Sequence, residues 1–396
     1  MALTVRYFSY FYPPCIGGGE VILQHQAEEL ARRGHTVHVH TTPYVNLDCR
    51  TAGRAGSTVE NGVNVHRRRS FLLPFHNPLE QNAVTPAFLA EAWLPADLLV
   101  AVGFPSLHLD ALRARAWASG ARLIAQNYVT ADFLKEILRG SGGLNKRLRA
   151  AYWRGHVRRQ LSAVNLVIAD SPAARGALAS ELGLTNVRCH IGMAVDPAEF
   201  DSASEMDVVR RTLGLGDARI VLAPSRVSRQ KGADVLVEAA LPLLRQDPTW
   251  KLVICGPVND AAFAASLRQA AAASEQVVIC ELPRAQFVSL VKAASVVVLP
   301  SRGETVGGVV LEGMYCGALC VVSDAVEAAR DDYLESGVNG LLFPSESVSA
   351  LRAALEQGMT GDTSAMREAG AAMVRRRFTW RASVDRLLEL YEAALA

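Results

Sequence analysis

The sequence predicts an α/β fold made of two doubly wound parallel sheets, and three observations carry the prediction. Apolar runs of four to eight residues alternate with helix-period segments along most of the chain, the pattern of parallel strands covered by helices on both faces. The pattern halts near residue 192 and restarts near residue 218, across the polar stretch GMAVDPAEFDSASEMD, which Pro197 breaks. The chain has 396 residues, 50% of them hydrophobic, so it can bury more than one core. Two domains are expected, 1–192 and 193–379, with a linker at about 192–217 and a C-terminal helix, 380–396, that crosses back to the first domain.

In the first half, strands are expected at LTVRYFSY, HTVHVHTT, VNVHRRR, LLVAVG, RLIAQNY and NLVIADS. Helices fall between them. In EVILQHQAEELARRG the apolar positions recur at spacings of three and four, and Gly34 stops the run. The second half repeats the scheme with ARIVLAPS, WKLVICG, QVVIC, SVVVLPS and ALCVVS. KRLRAAYWRGHVRRQ reads as a solvated helix face, with an anionic lipid surface as the alternative. FTWRASVDRLLELYEAALA closes the chain as an amphipathic helix.

Lys and Arg exceed Asp and Glu by only two, so no strong field argues for nucleic acid as a partner. The seven cysteines are scattered, without a CxxC pair or metal spacing, and read as reduced core residues of a cytoplasmic protein. MALTVRYFSYFYPP has no basic start, apolar stretch and cleavage site in sequence, and is expected to be a first strand and not a signal peptide. No run approaches the roughly 18 apolar residues that span a bilayer.

Three motifs could carry chemistry. YPPCIGGGE, residues 12–20, lies between the opening strand and a long helix; bare backbone at Gly17, Gly18 and Gly19 lets an anion approach, and the alternative is a flexible turn. Its glycines are consecutive, which disfavours a nicotinamide dinucleotide. In APSRVSRQKGADVLVEAA a strand ends, Arg226 and Lys231 follow five apart, and Gly232 opens a helix. Two cations there suit a diphosphate, although a structural salt bridge would also explain Arg226. Lys231 stands out because the chain has only five lysines. In SVVVLPSRGETVGGVVLEGMY, Glu304 falls in a loop and Glu312 on the helix that follows, with Gly307 and Gly308 between. Carboxylates accept hydrogen bonds from vicinal hydroxyls, in which sugars are dense.

These motifs, with VIADS, VDPAEF and SGVNGLLF, resemble glycosyltransferase family 4, a retaining group with the GT-B fold, over nearly the whole length. The resemblance implies two Rossmann-like domains facing a cleft, and transfer of a sugar from a nucleotide diphosphate sugar, with uridine favoured over guanosine, to a hydroxyl of a small-molecule or saccharide acceptor. It implies that Arg226 and Lys231 hold the diphosphate, Glu304 the transferred sugar and Glu312 the ribose. The backbone at Val306, Gly307 and Gly308 would complete the cradle, with Gly18 and Gly19 closing over the phosphates. No Asp-x-Asp element accompanies these sites, so no catalytic metal and no other cofactor are expected.

Two departures matter. Where the family often has a His facing the donor sugar, LIAQNYV offers Gln126 and Asn127; Asn127 either replaces that contact or caps the strand end. HIGMAVD stands where Pro-Asn-Gly-Val-Asp is more usual, and Asp196 reads as a turn cap. RRRSFLLPFHNPL, residues 67–79, sets three arginines beside an apolar stretch. It leaves open weak peripheral membrane contact and a lipid-linked acceptor. The alternative from another class is a nucleotide-sugar-binding protein without transfer activity.

Overall fold

The computed structural model describes the chain except residues 1, 16, 47, 48, 50, 73–82, 104–107 and 273. Two compact units emerge, Met1–Met193 with Trp380–Ala396, and Ala194–Thr379. The strands of the first are β1 (Thr4–Ser9), β2 (Thr36–Thr41), β3 (Gly56–Glu60), β4 (Val63–Arg67), β5 (Phe71–Leu72), β6 (Ala83–Val84), β7 (Leu98–Val102), β8 (Arg122–Asn127), β9 (Leu166–Ala169) and β10 (Val187–Cys189). β5 and β6 form a separate antiparallel pair. The others make one sheet in the order β10-β9-β8-β7-β1-β2-β4-β3, parallel except at β3. β3 is mostly exposed, so apolar periodicity does not reveal it. Its signal is the Asn61-Gly62 turn, whose positive φ angles of 48° and 83° suit a tight hairpin.

Alternation along the strands fills two layers. Val5, Tyr7, Val37, Val39, Val100 and Ile124 point toward Leu23, Ala27 and Leu30 of the helix Gly18–Arg32. Phe8, Leu99, Ala101 and Ala125 point the other way, toward Leu134, Ile137 and Trp153. Burial on both faces is why these strands read as unbroken apolar runs. The helix Trp380–Leu395 adds Val384, Leu387 and Tyr391 to the first layer. The Tyr391 hydroxyl meets that of Tyr7 at 2.9 Å, and Trp380 stacks on His25 with centroids 4.4 Å apart.

The second unit contains β11 (Arg219–Pro224), β12 (Trp250–Cys255), β13 (Val277–Cys280), β14 (Val296–Leu299), β15 (Leu319–Ser323) and β16 (Leu341–Phe343). Their order is β13-β12-β11-β14-β15-β16, all parallel. This is the doubly wound arrangement, whose order reverses between β11 and β14. At such a reversal connections leave toward opposite faces, and open α/β sheets bind their ligands beyond the carboxyl ends there. The segment expected as a linker instead holds two short helices, Pro197–Asp201 and Met206–Thr212, largely within the second unit. Pro197 does not break structure there. It is the first helical residue, and Asp196 caps the turn by accepting from the Ala198 amide at 3.0 Å.

Leu387→Ala should cost the first unit about 2–5 kcal/mol, because it empties a fully buried site. Urea unfolding followed by tryptophan fluorescence measures it; an unchanged midpoint would mean that the last helix is not part of that core.

Candidate functional site

The β11–β14 reversal organises the second unit's motifs. After β11 the chain turns through Ser225–Gly232, and Val227 donates its amide to the Pro257 carbonyl at 2.9 Å, fastening the turn to the loop after β12. Arg226 is exposed and has no ion-pair partner among the described residues. Residues Arg229–Lys231 form a single 3-10 turn ending at Gly232, whose φ is 67°. A Cβ there would run into the Pro300 carbonyl, so only glycine lets this turn reach the end of β14. The close approach sets the buried Lys231 ammonium against the Glu304 carboxylate, and the two form an ion pair.

The Glu304 loop is held from the side of β15. The Glu304 amide donates to the Ala325 carbonyl at 3.2 Å, Glu327 donates to the Glu304 carbonyl at 3.0 Å, and Ala328 to the Thr305 carbonyl at 2.8 Å. The buried Tyr333 hydroxyl donates to the Val306 carbonyl at 2.6 Å. With these carbonyls occupied, Gly307 takes φ 74° and starts the helix Gly308–Tyr315. The amides of Gly308 and Val309 find no acceptor within that helix, as at any helix start, and favour an anion.

Arg302 locks the two turns together. Its guanidinium donates to Asp234 at 3.0 and 2.9 Å, to Glu346 at 2.9 Å, and to the Arg229 carbonyl. The Arg302 amide donates to the Gln230 carbonyl at 2.8 Å, and the Gln230 side chain returns a bond to the Gly303 carbonyl at 3.0 Å. Burial works against ionisation of Asp234, but the Arg302 pair outweighs it and holds that carboxyl below its usual range.

Glu312 lies one turn into the helix. Arg284 donates to one of its oxygens at 2.9 Å and grips Glu199 with two bonds of 2.8 and 2.7 Å. The other oxygen, Oε2, is buried without a partner among the described residues. Burial pushes the Glu312 carboxyl up, and Arg284 opposes the shift without cancelling it. A buried carboxylate oxygen with no donor is costly unless something supplies one.

Gly18, Gly19 and Asn127 belong to the first unit. Gly18 and Gly19 open the helix Gly18–Arg32, and the Tyr128 ring lies where a Cβ on Gly19 would sit. Glu20 occupies the same first turn; burial raises its carboxyl, and a bond from its own amide opposes this. The helix start therefore already carries a carboxylate where an anion would come. Asn127 accepts the Tyr128 amide at 2.8 Å, the strand-end cap, yet its Nδ2 is buried without a partner among the described residues and retains donors for a hydroxyl.

The structure thus joins Lys231 directly to Glu304, sets Glu312 on the helix following the same loop, and links Gly19 to Asn127 through Tyr128. Sequence reasoning missed Arg284, Arg302 and Tyr333. Arg302 lies within SVVVLPSRGETVGG, beside Glu304, whereas Arg284 and Tyr333 act across the fold and leave no local signal. Of the stretch 67–79, residues 73–79 lie outside the described residues; Arg67 and Arg68 pair internally with Glu60 and Glu91. No helix among the described residues is long and apolar enough to cross a membrane.

Comparison with known proteins agrees with this architecture. The family described as Glycosyltransferase Family 4 matches residues 16–192, and that described as Glycosyl transferases group 1 matches residues 206–373. A D-inositol 3-phosphate glycosyltransferase from Kineococcus radiotolerans is 28% identical, over 96% of this chain and 91% of its own. A glycosyltransferase from Rickettsia africae superposes with a TM-score of 0.74 at 16% identity, over 100% of this chain and 99% of that one. Anabaena HepE in complex with UDP and glucose gives 0.70 at 18%, over 99% and 100%. The fold is that of the GT-B glycosyltransferases, and the chain is an enzyme of the hexosyltransferase type. It belongs to glycosyltransferase family 4.

Arg302→Ala should cut turnover at least tenfold with little loss of stability, since a half-exposed ion pair contributes only about 0.2–1 kcal/mol. Arg302→Lys should rescue it poorly, because an ammonium cannot bridge both Asp234 oxygens. Initial rates beside thermal melts check this; equal losses in both measurements would reduce Arg302 to a structural role.

Proposed function

We propose that the protein is a retaining glycosyltransferase that moves a hexosyl group from a UDP-sugar to a hydroxyl of a small polyol or saccharide. The observation that carries the reading is the Lys231–Glu304 pair at the strand-order reversal, with Arg226 unpaired nearby in sequence and a bare carboxylate oxygen on Glu312. Cations match a diphosphate and carboxylates match hydroxyls. When the donor enters, Lys231 exchanges one anionic partner for another, and Glu304 turns to the hydroxyls of the transferred sugar. Glu312 Oε2 accepts from the ribose, held in position by Arg284. The amides after Val306 are assigned to the phosphates. Asn127 Nδ2 is assigned to the donor sugar in place of a histidine.

In the transfer, the bond from the anomeric carbon to the diphosphate oxygen breaks, and the acceptor oxygen bonds the same face. The acceptor proton passes to the departing diphosphate. The protein acts by positioning and by meeting charge on the leaving group. Arg226 and Lys231 supply that charge, and no Asp-x-Asp element is present, so the proposal assigns no metal a role and activity is expected to survive EDTA. UDP is favoured because HepE was solved with UDP and with UDP-glucose. The name of the Kineococcus relative makes D-inositol 3-phosphate the first acceptor to try.

The deciding assay is UDP release from a panel of UDP-sugars with that acceptor. Lys231→Ala should lose about 10²–10³-fold in turnover while staying folded; near-normal transfer would sink the assignment. NMR of the product should show the donor's anomeric configuration, and an inverted product would remove the retaining mechanism.

The Glu312 assignment carries its own pH signature. A raised carboxyl takes up a proton at a higher pH than an ordinary glutamate, and the protonated form accepts hydroxyl bonds poorly. Donor KM should therefore climb as pH falls, beginning above the usual Glu range, and Glu312→Gln should flatten the profile at a high KM. A wild-type KM that is flat down to pH 4.5 would contradict it.

A further inference from the structure

Strands β12 and β13 both end in cysteine, and their parallel register places Cys255 opposite Cys280. Neighbouring strands lie about 4.8 Å apart, and in-register residues leave the sheet on the same face. Trp250, Leu252 and Ile254 of β12 enter the core, with Val277 and Ile279 of β13 packed against it. Cys255 and Cys280 therefore share the opposite face. Their strand spacing lies within the roughly 4.4–6.8 Å between Cα atoms that a disulfide spans.

The two thiols differ. Cys255 is buried; its bond to Cys280 and its burial push its thiol up. Cys280 is partly exposed on an edge strand, and the hydrogen bond from Cys255 lowers its thiol. The difference in exposure divides them into a thiol that an oxidant can reach, Cys280, and a sheltered partner, Cys255. No group of three or more His, Cys, Asp or Glu suited to a metal ion occurs among the described residues, so the pair is not a fragment of such a centre.

We propose that Cys280 and Cys255 form a reversible redox modification site that responds to hydroperoxides and acts on the Arg226 turn. The Cys280 thiolate attacks one oxygen of hydrogen peroxide, the O–O bond breaks, and a sulfenic acid and one water result once the leaving hydroxide is protonated. The Cys255 sulfur then attacks the sulfenic sulfur, the S–O bond breaks, and a second water leaves as the disulfide forms. The dithiol gives up two electrons and hydrogen peroxide takes them; an external dithiol reverses the step.

The bond's effect follows from what Cys255 adjoins. A disulfide needs Cβ atoms about 3.8 Å apart, so the two strand ends must draw together. Gly256 donates its amide to the Cys280 carbonyl at 2.9 Å and packs so tightly on Ser225 that a Cβ would strike the Ser225 carbonyl. Displacement at Cys255 therefore passes to Ser225 and Arg226, whose turn is also tied to Pro257 through Val227.

The test uses the full chain and hydrogen peroxide, with no sugar ligand. After treatment and alkylation, a peptide map should contain the Cys255 and Cys280 peptides cross-linked and two hydrogens lighter, and dithiothreitol should separate them. Amide exchange in 225–232 should change by about threefold or more on oxidation, as expected of a local opening equilibrium that has shifted. Cys280→Ser treated alike should show neither effect, and Cys255→Ala serves the same purpose if that variant does not fold. Recovery of both cysteines as separate alkylated or over-oxidised residues would overturn the proposal, as would a cross-link that leaves exchange in 225–232 unchanged.

Discussion

The second unit depends on one constraint, that β11 and β14 are neighbours although two other strands separate them in the chain. Their register is short, Val221 with Val296 and Leu222 with Val297, and beyond it the two connections part. One carries Arg226 and Lys231 and the other Glu304, and the two meet again where Lys231 pairs with Glu304. Lys231 is 9% exposed, and an ammonium so placed would be strongly unfavourable alone. Pairing with Glu304 solves that problem in the free protein. It also leaves two matched groups, either of which a ligand of the right charge can recruit.

Around this pair, much of the surrounding polar network serves to hold backbone still. Arg302 spends its donors on Asp234, Glu346 and the Arg229 carbonyl; Tyr333 takes the Val306 carbonyl; Arg284 orients Glu312 from a base on Glu199. The guanidinium of Arg284 also lies 5.7 Å from the Phe200 ring and 5.3 Å from that of Phe287. Each arginine fixes direction as well as charge, which a planar fork does better than an ammonium.

The α/β class was legible in the sequence because strands buried on both faces leave apolar runs, and the sites were legible where glycine must stand beside charge. Gly232 illustrates this: no other residue fits against Pro300, and the glycine marks the turn that presents Lys231. β10 and β16, of three residues each, are too short to carry periodicity, and β3 is too exposed. The segment 192–217 looked like a linker because its helices are short and polar, although Pro197 preceded by Asp196 is a helix-start signal. Arg284 was invisible for another reason. Its partners Glu199 and Glu312 lie 85 and 28 residues away, and pairing over such separations leaves no trace in local order.

The helix Trp380–Leu395 has a consequence for how the protein comes into being. Tyr391 meets Tyr7 across 384 residues, so Tyr7 waits for a partner that follows the whole second unit. On the ribosome the second unit can close as soon as its own strands emerge, whereas the first stays unsealed until those later residues arrive. The strands laid down first are thus sealed last, and their apolar layer stays open to other partners until residues 380–395 have been made.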